Sequence, residues 1–248
     1  MVLLSAAWVA GCSSVPTQKV TTSGERAALW MEVGNSALLE GDSIGALENF
    51  IRAEKEDPLL PELHHSKALA YFSKKDYENA IRSVRRAVEL KKDYSDANST
   101  LGKLLTDQGK SDEAIPYLTR AASDSLYRES YKPLTQLGLI HYQKGQFSPA
   151  ESFFARAVQE GRGMACIASY YHGHIRMREG RRSEAIHDYE AASQKFCAQF
   201  AEPRLAIALA YKKNGQLELA RKYLVEVQSR YPGTQVAEQA MHHLRYLP

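Results

Sequence analysis

Residues 27–58 read AALWMEVGNSALLEGDSIGALENFIRAEKEDP, and the order of small and large side chains in this stretch decides the fold. Ala46 and Ala53 stand seven positions apart with Phe50 between them, and Gly41 precedes Ala46 by five. The same set returns along the chain. Ala46, Ala80, Ala114, Ala150, Ala185 and Ala220 follow one another at spacings of 34, 34, 36, 35 and 35. Seven residues beyond each comes Ala53, Ala87, Ala121, Ala157, Ala192 and finally Val227, with Phe50, Val84, Leu118, Phe154, Tyr189 and Leu224 in between. Five residues before each stands Gly41, Lys75, Gly109, Gly145, Gly180 or Gly215. Glycine suits a helix end that finishes in the left-handed region. A period of this length marks stacked supersecondary units that bury their apolar faces against one another.

With Trp30, Val33-Gly34, Ala46, Phe50, Ala53 and Pro58, the first unit resembles the tetratricopeptide (TPR) repeat, and the resemblance runs through residues 27–232. It implies an all-α TPR solenoid of six helix-turn-helix repeats forming a right-handed superhelix, at about 27–60, 61–94, 95–130, 131–165, 166–200 and 201–233. The small residues let the two helices of a pair approach, and the large ones fill the remaining gap. Pro61 and Pro203 fall where first helices start, as an N-terminal proline should. Pro116 sits early in a second helix, at the expense of a hydrogen bond. Val236, Ala240, Leu244 and Leu247 follow a helical spacing, so residues 234–248 are expected to cap the last apolar face. No linker rich in Pro, Gly or Ser interrupts the array, so one continuous solenoid is expected.

The opening Met1-Val2-Leu3-Leu4-Ser5-Ala6-Ala7-Trp8-Val9-Ala10-Gly11-Cys12 is apolar and then small. It is shorter than the ~20 residues needed to span a bilayer as a helix, and it reads as a secretory leader. Val9-Ala10-Gly11-Cys12 resembles a bacterial lipobox, in which a thiol on a slim backbone takes the lipid. Residues 1–11 are then a signal peptide, Cys12 the lipidated residue, and 12–26 a flexible tether. No Lys or Arg precedes the apolar run, so the natural start is expected further upstream. Ser13 resembles the residue after the lipidated cysteine in lipoproteins sorted to the outer membrane.

Composition narrows the function classes. The 248 residues are 44% hydrophobic and 25% charged, with a net charge of +3, ordinary values for a globular protein. Residues 1–160 hold 19 basic and 21 acidic side chains, and 161–248 hold 13 and 8. A nucleic-acid partner needs a basic stripe, and none is present. His64-His65 and His242-His243 are adjacent, and His172 and His174 are two apart. None of these pairs shares a helix face, so no metal site is expected. The chain has no His-Glu-x-x-His, Gly-x-Ser-x-Gly or phosphate-cradling glycine loop, so no enzyme, cofactor or small-molecule substrate is expected. Carboxylates such as Asp112-Glu113 and Glu54-Glu56-Asp57 fall on expected solvated faces. Cys166 opens the first helix of the fifth unit and Cys197 ends the second, which brings them together across an antiparallel pair. They either form a disulfide, as an exported protein allows, or remain two buried thiols.

A TPR solenoid holds partner segments on the concave face lined by its first helices. The repeat register places Met31, Asn35, Leu38, Leu69, Phe72, Leu139, Tyr142, Tyr170, Met177, Leu205 and Leu209 there, with Lys103 and Lys212-Lys213 between them. About half are expected to be buried by the next repeat. The positions that form a Lys/Asn clamp in chaperone-binding TPR domains read Asn35, Leu69, Lys103, Leu139, His174 and Leu209, so that clamp is missing.

Two local stretches narrow the resemblance further. Ala121-Ala122-Ser123-Asp124-Ser125-Leu126-Tyr127 leads into Leu137-Gly138-Leu139, and the array ends on Arg230-Tyr231-Pro232-Gly233-Thr234. Together with the lipobox they resemble the type IV pilus pilotins, outer-membrane TPR lipoproteins of the PilF, PilW and Tgl type. The resemblance implies a non-enzymatic protein, lipid-anchored at Cys12 on the periplasmic face of the outer membrane, that binds the pilus secretin subunit and supports its localisation or assembly. The alternative is a general TPR lipoprotein scaffold docking peptidoglycan hydrolases or an outer-membrane assembly complex.

Overall fold

The computed structural model describes residues 22–247. The leader 1–11, the lipidation residue Cys12 and most of the expected tether lie outside them. The described residues form thirteen α-helices and a short 3₁₀ turn, with no strand among them. The chain divides into two compact units, Met1–Pro58 and Leu59–Pro248. The boundary falls at Pro58: Asp57 before it is extended, the conformation favoured before proline, and the second helix ends there.

The first unit is one hairpin, α1 (Ser23–Leu39) and α2 (Ser43–Glu56). Helix α1 begins four residues before the position expected for the first repeat, so residues 23–26 are helical rather than tether. The cause is a capping box: Thr22 Oγ1 accepts from the Glu25 amide at 3.2 Å, and Glu25 Oε2 accepts from the Thr22 amide at 2.8 Å. Ala27, Gly34, Ala46, Leu47, Phe50 and Ala53 are buried, and a Cβ at Gly34 would fall 2.5 Å from the Phe50 ring of the facing helix. Arg26 donates to Glu56 at 2.6 Å, closing the open end of the hairpin.

The second unit stacks five hairpins and a last helix. They are α3 (Pro61–Ser73) with α4 (Tyr77–Leu90), α5 (Ser95–Asp107) with α6 (Ser111–Ala122), and α7 (Tyr131–Gln143) with α8 (Phe147–Gly161). Then come α9 (Cys166–Arg178) with α10 (Arg182–Ala191), α11 (Glu202–Lys213) with α12 (Leu217–Arg230), and α13 (Gln235–Arg245). Each second helix packs on the first helix of the following pair, and the first helices α5, α7 and α9 also touch one another in succession. This arrangement brings the first helices to one face of the unit.

The small residues act as the spacing suggested. A methyl group at Gly138 would fall 2.5 Å from the Phe154 ring, so the absence of a Cβ is what admits the ring of α8 against α7. Gly102 against Leu118 and Gly173 against Tyr189 repeat the contact at 2.4 and 2.6 Å. The alanines Ala80, Ala114, Ala150, Ala185 and Ala220 are fully buried. Helix α13 covers the end of the stack: Ala240 is buried among Leu224, Val227 and Tyr231, with Val236 and Leu244 packed beside it. Pro116 lies within α6 without breaking it. Carboxylates expected to be merely solvated pair across repeats, Glu113 with Arg85 and Asp112 with Lys144, both at 2.5 Å; exposed pairs of this kind contribute about 0–1 kcal/mol each.

Along the edge where second helices hand over to first helices, the loops are tied to one another. Ser95 Oγ donates to Asp124 at 2.5 Å, and the Tyr231 hydroxyl donates to the Ala198 carbonyl at 2.8 Å. Cys166 and Cys197 form a disulfide. Cys197 does not end the second helix of its pair, as the register suggested, but lies in the 3₁₀ turn Lys195–Cys197. Helix α10 stops earlier because the Ser193 hydroxyl turns back to the Glu190 carbonyl at 3.0 Å and Lys195 takes a left-handed φ of 50°.

Candidate partner-binding groove

The first helices of the second unit enclose an open cavity of about 700 Å³, within the range of ligand pockets. Its wall follows the repeat register. The second positions of α5, α7 and α9 supply Asp96, Lys132 and Ile167, and the fifth positions of α3, α5 and α7 supply His65, Ser99 and Thr135. Leu69, Phe72, Lys103 and Leu104 come from further along α3 and α5, and the inter-repeat loops add Tyr127, Glu129 and Met164. The surface these residues offer is mostly apolar. Leu69 and Phe72 remain more than a third exposed, and Met164 and Ile167 are each 44% exposed. These open apolar side chains make the cavity the candidate interaction surface.

The polar groups of the wall are held in defined partnerships. His65 Nε2 meets Thr100 Oγ1 at 3.0 Å, and its other nitrogen meets the Tyr94 hydroxyl at 3.3 Å. Burial pushes the imidazole below its ordinary range, against the opposing pull of Asp96 and Glu62. Burial, then the charges of Asp96 and Glu62, push the Tyr94 phenol up to about 12. The Tyr127 phenol is driven up as well, by burial first and then by Asp96. Lys103 pairs with Asp107 at 2.6 Å and lies 5.7 Å from the Phe72 ring centre. Lys132 pairs with Glu129 at 2.5 Å.

Of the residues proposed from sequence, the structure brings Leu69, Phe72 and Lys103 together in this cavity. Leu205 is only 7% exposed and belongs to the core around α11 and α12. Leu209 packs against that same core, Leu139 and Tyr142 against the core of α7 to α9, and Tyr170 and Met177 against Tyr189. The two tyrosines sit in an aromatic cluster, Tyr142 5.0 Å from Tyr171 and Tyr170 4.4 Å from His174 between ring centres. Both are half-buried there, packed against rings of their own or the next hairpin. Met31, Asn35 and Leu38 lie on α1 in the first unit, Asn35 exposed and the other two half-buried. Cys12 lies outside the described residues. Cys166 lines the cavity, so the disulfide fixes one end of its wall.

Sequence reasoning missed Asp96, Ser99, Thr100, Tyr127, Lys132, Met164 and Ile167. The signal was present in the register, since Glu62, Asp96, Lys132 and Ile167 recur at spacings of 34, 36 and 35. A search for large apolar groups alone passes over such positions.

Comparison with known proteins bears on what this groove belongs to. Profiles described as tetratricopeptide repeat match residues 61–94, 99–165 and 204–234. The type IV pilus assembly protein PilF of Pseudomonas aeruginosa is 23% identical over 238 residues, covering 94% of each chain. A solved structure of Pseudomonas aeruginosa PilF superposes with a TM-score of 0.77 at 19% identity, covering 89% of this chain and 99% of the other. A crystal structure of PilW, described as a widely conserved type IV pilus biogenesis factor, gives a TM-score of 0.74 at 19% identity, covering 87% and 98%.

Proposed function

We propose, from the premise that the chain belongs to the tetratricopeptide-repeat proteins and has PilF/PilW-type relatives along its whole length, that it is a non-enzymatic protein of type IV pilus biogenesis. In this reading it is a pilotin. Its groove holds a segment of the secretin subunit, and a lipid on Cys12 keeps that groove at the periplasmic face of the outer membrane. The observation that carries the reading is the pairing of end-to-end similarity to PilF with an open, mostly apolar cavity built from four successive first helices.

Physical chemistry connects anchor and groove. Each buried CH₂ of an acyl chain contributes about 0.8 kcal/mol, and stable anchoring takes more than one chain, which a multiply acylated cysteine provides. A tethered groove works at the high effective concentration of an intramolecular event, so a modest affinity suffices for capture. The groove supplies selection through shape and the arrangement of Leu69, Phe72 and Asp96; the lipid supplies the address.

The test is a pull-down from detergent-solubilised envelopes with three versions of the full chain: unaltered, Cys12→Ala, and the pair Leu69→Glu with Phe72→Asp. The secretin subunit is expected with the first, is expected to be lost with the groove pair, and is expected in the wrong membrane in cells carrying Cys12→Ala. Recovery of peptidoglycan hydrolases or outer-membrane assembly subunits without secretin would replace the pilotin reading by that of a general scaffold. Normal secretin multimers in the outer membrane of the Cys12→Ala strain would remove the anchor from the mechanism.

A further inference from the structure

Four residues that carry charge at neutral pH line the groove: Asp96, Lys103, Glu129 and Lys132. Two of them are neutralised by the wall itself, because Lys132 pairs with Glu129 at 2.5 Å. Lys103 is neutralised from just outside it, by Asp107 one helical turn further along α5 at 2.6 Å. His65 adds no charge at neutral pH, since burial favours its neutral ring. Asp96 is left over. It is half-buried at the second position of α5. Among the described residues, no Lys or Arg forms an ion pair with it. The Tyr127 hydroxyl hydrogen-bonds to it, and its charge is also felt by the Tyr94 phenol.

A carboxylate with no cation beside it, in a cavity walled by Leu69, Phe72, Leu104, Met164 and Ile167, attracts a cation more strongly than one in open water does, because apolar walls lower the local dielectric. The neutralised lysines offer nothing comparable to an anion. We infer that the groove takes a partner segment in which apolar side chains flank one Arg or Lys, the apolar groups filling the cavity and the cation pairing with Asp96. This rests on the proposed use of the cavity as a partner groove and names the chemistry of what enters it. Arginine fits better than lysine, since its planar fork pairs with both carboxylate oxygens. Acidic segments and free C-terminal carboxylates are repelled. This preference is the reverse of that of a TPR domain built around a cationic clamp.

The experiment uses the full chain and a fluorescein-labelled peptide, Gly-Ser-Leu-Phe-Ser-Arg-Leu-Ser-Gly with an amidated end, beside versions carrying Gln or Glu in place of Arg. Binding is read by fluorescence anisotropy. The Arg peptide is expected to bind about tenfold tighter than the Gln peptide, a difference of about 1.4 kcal/mol, with the Glu peptide weakest. In Asp96→Asn, which keeps the side chain's shape, the order is expected to collapse while the Gln peptide binds as before. Phe72→Ala is expected to weaken all three. Equal affinities in the unaltered protein, lost together in Phe72→Ala, would overturn the charge preference and leave the groove and its proposed function standing. Failure of every peptide to bind, with secretin still recovered in the pull-down, would overturn it equally.

Discussion

Lys75 is the residue at which the repeat breaks its own rule. Five of the six turns between paired helices use glycine with φ between 72° and 86°, whereas the second repeat places Lys75 at φ 61°. A side chain with a Cβ costs about 1–2 kcal/mol in the left-handed region. Lys75 is exposed, and its amide still donates to the Phe72 carbonyl at 2.8 Å, so nothing about the contact requires lysine. Lys75→Gly is therefore expected to raise the unfolding free energy by about 1 kcal/mol, less what the added backbone freedom costs the unfolded chain. A urea titration of the two proteins measures it, and a loss of stability in the glycine variant would show that the lysine side chain makes a contribution the backbone geometry does not reveal. The glycine pattern made this turn legible in the sequence even where the glycine itself is missing. The strain at that site emerges only from the dihedral angle.

At the scale of elements, the fifth hairpin shows where legibility ended. Its first helix was correctly opened at Cys166, but the second was read through to Cys197, and the chain instead leaves the helix after Ala191 and turns through Lys195–Cys197. Ser193 and Lys195 together end it, and neither residue type forbids a helix by itself. Burial of Cys197 and its link to Cys166 hold this irregular segment against the N-terminal end of α9, beside the groove. The chain-entropy view assigns a bridge across a separation of 31 residues about 3–4 kcal/mol. Cys197→Ser is expected to lower the unfolding free energy by that amount while leaving the helical circular dichroism spectrum intact. Reduction of the unaltered protein should produce the same loss, and reduction should leave the Ser variant unchanged. A variant as stable as its parent would place the hairpin's stability wholly in the packing of Tyr189 against Gly173 and Ile207.

Over the whole molecule, the period of the alanines made the helix pairs legible because each alanine marks a close approach repeated in every unit. The groove was legible only in part. Leu69 and Phe72 were found because they are large and apolar, whereas Asp96, Thr100 and Lys132 matter through their register on successive helices. Tyr142 and Tyr170 are half-buried by rings of their own or the next hairpin, and Leu205 is buried in the core of α11 and α12, contacts that no local signal announces. The same distribution of buried polar groups sets how the protein responds to acid. Burial lowers the affinity of His65 and His174 for protons in the folded chain. Unfolding frees them to take a proton near the ordinary value of about 6.5. The unfolded state therefore binds more protons below that pH, and stability must fall as pH drops through 6.5 towards the folded values. Asp76, held down by hydrogen bonds from Asn79, and Asp124, held down by Ser95, act at lower pH. Their contribution is present above about 4, the ordinary carboxylate range, and is lost as pH falls through their depressed values. Unfolding midpoints in urea are thus expected to be flat from pH 9 to 7, to decline gently once pH falls below about 6.5, and to fall steeply below about 4. The double variant His65→Gln with His174→Gln should remove most of the gentle decline and leave the steep one. A gentle decline of unchanged size in that variant would assign it to other groups and show that these two imidazoles titrate alike folded and unfolded.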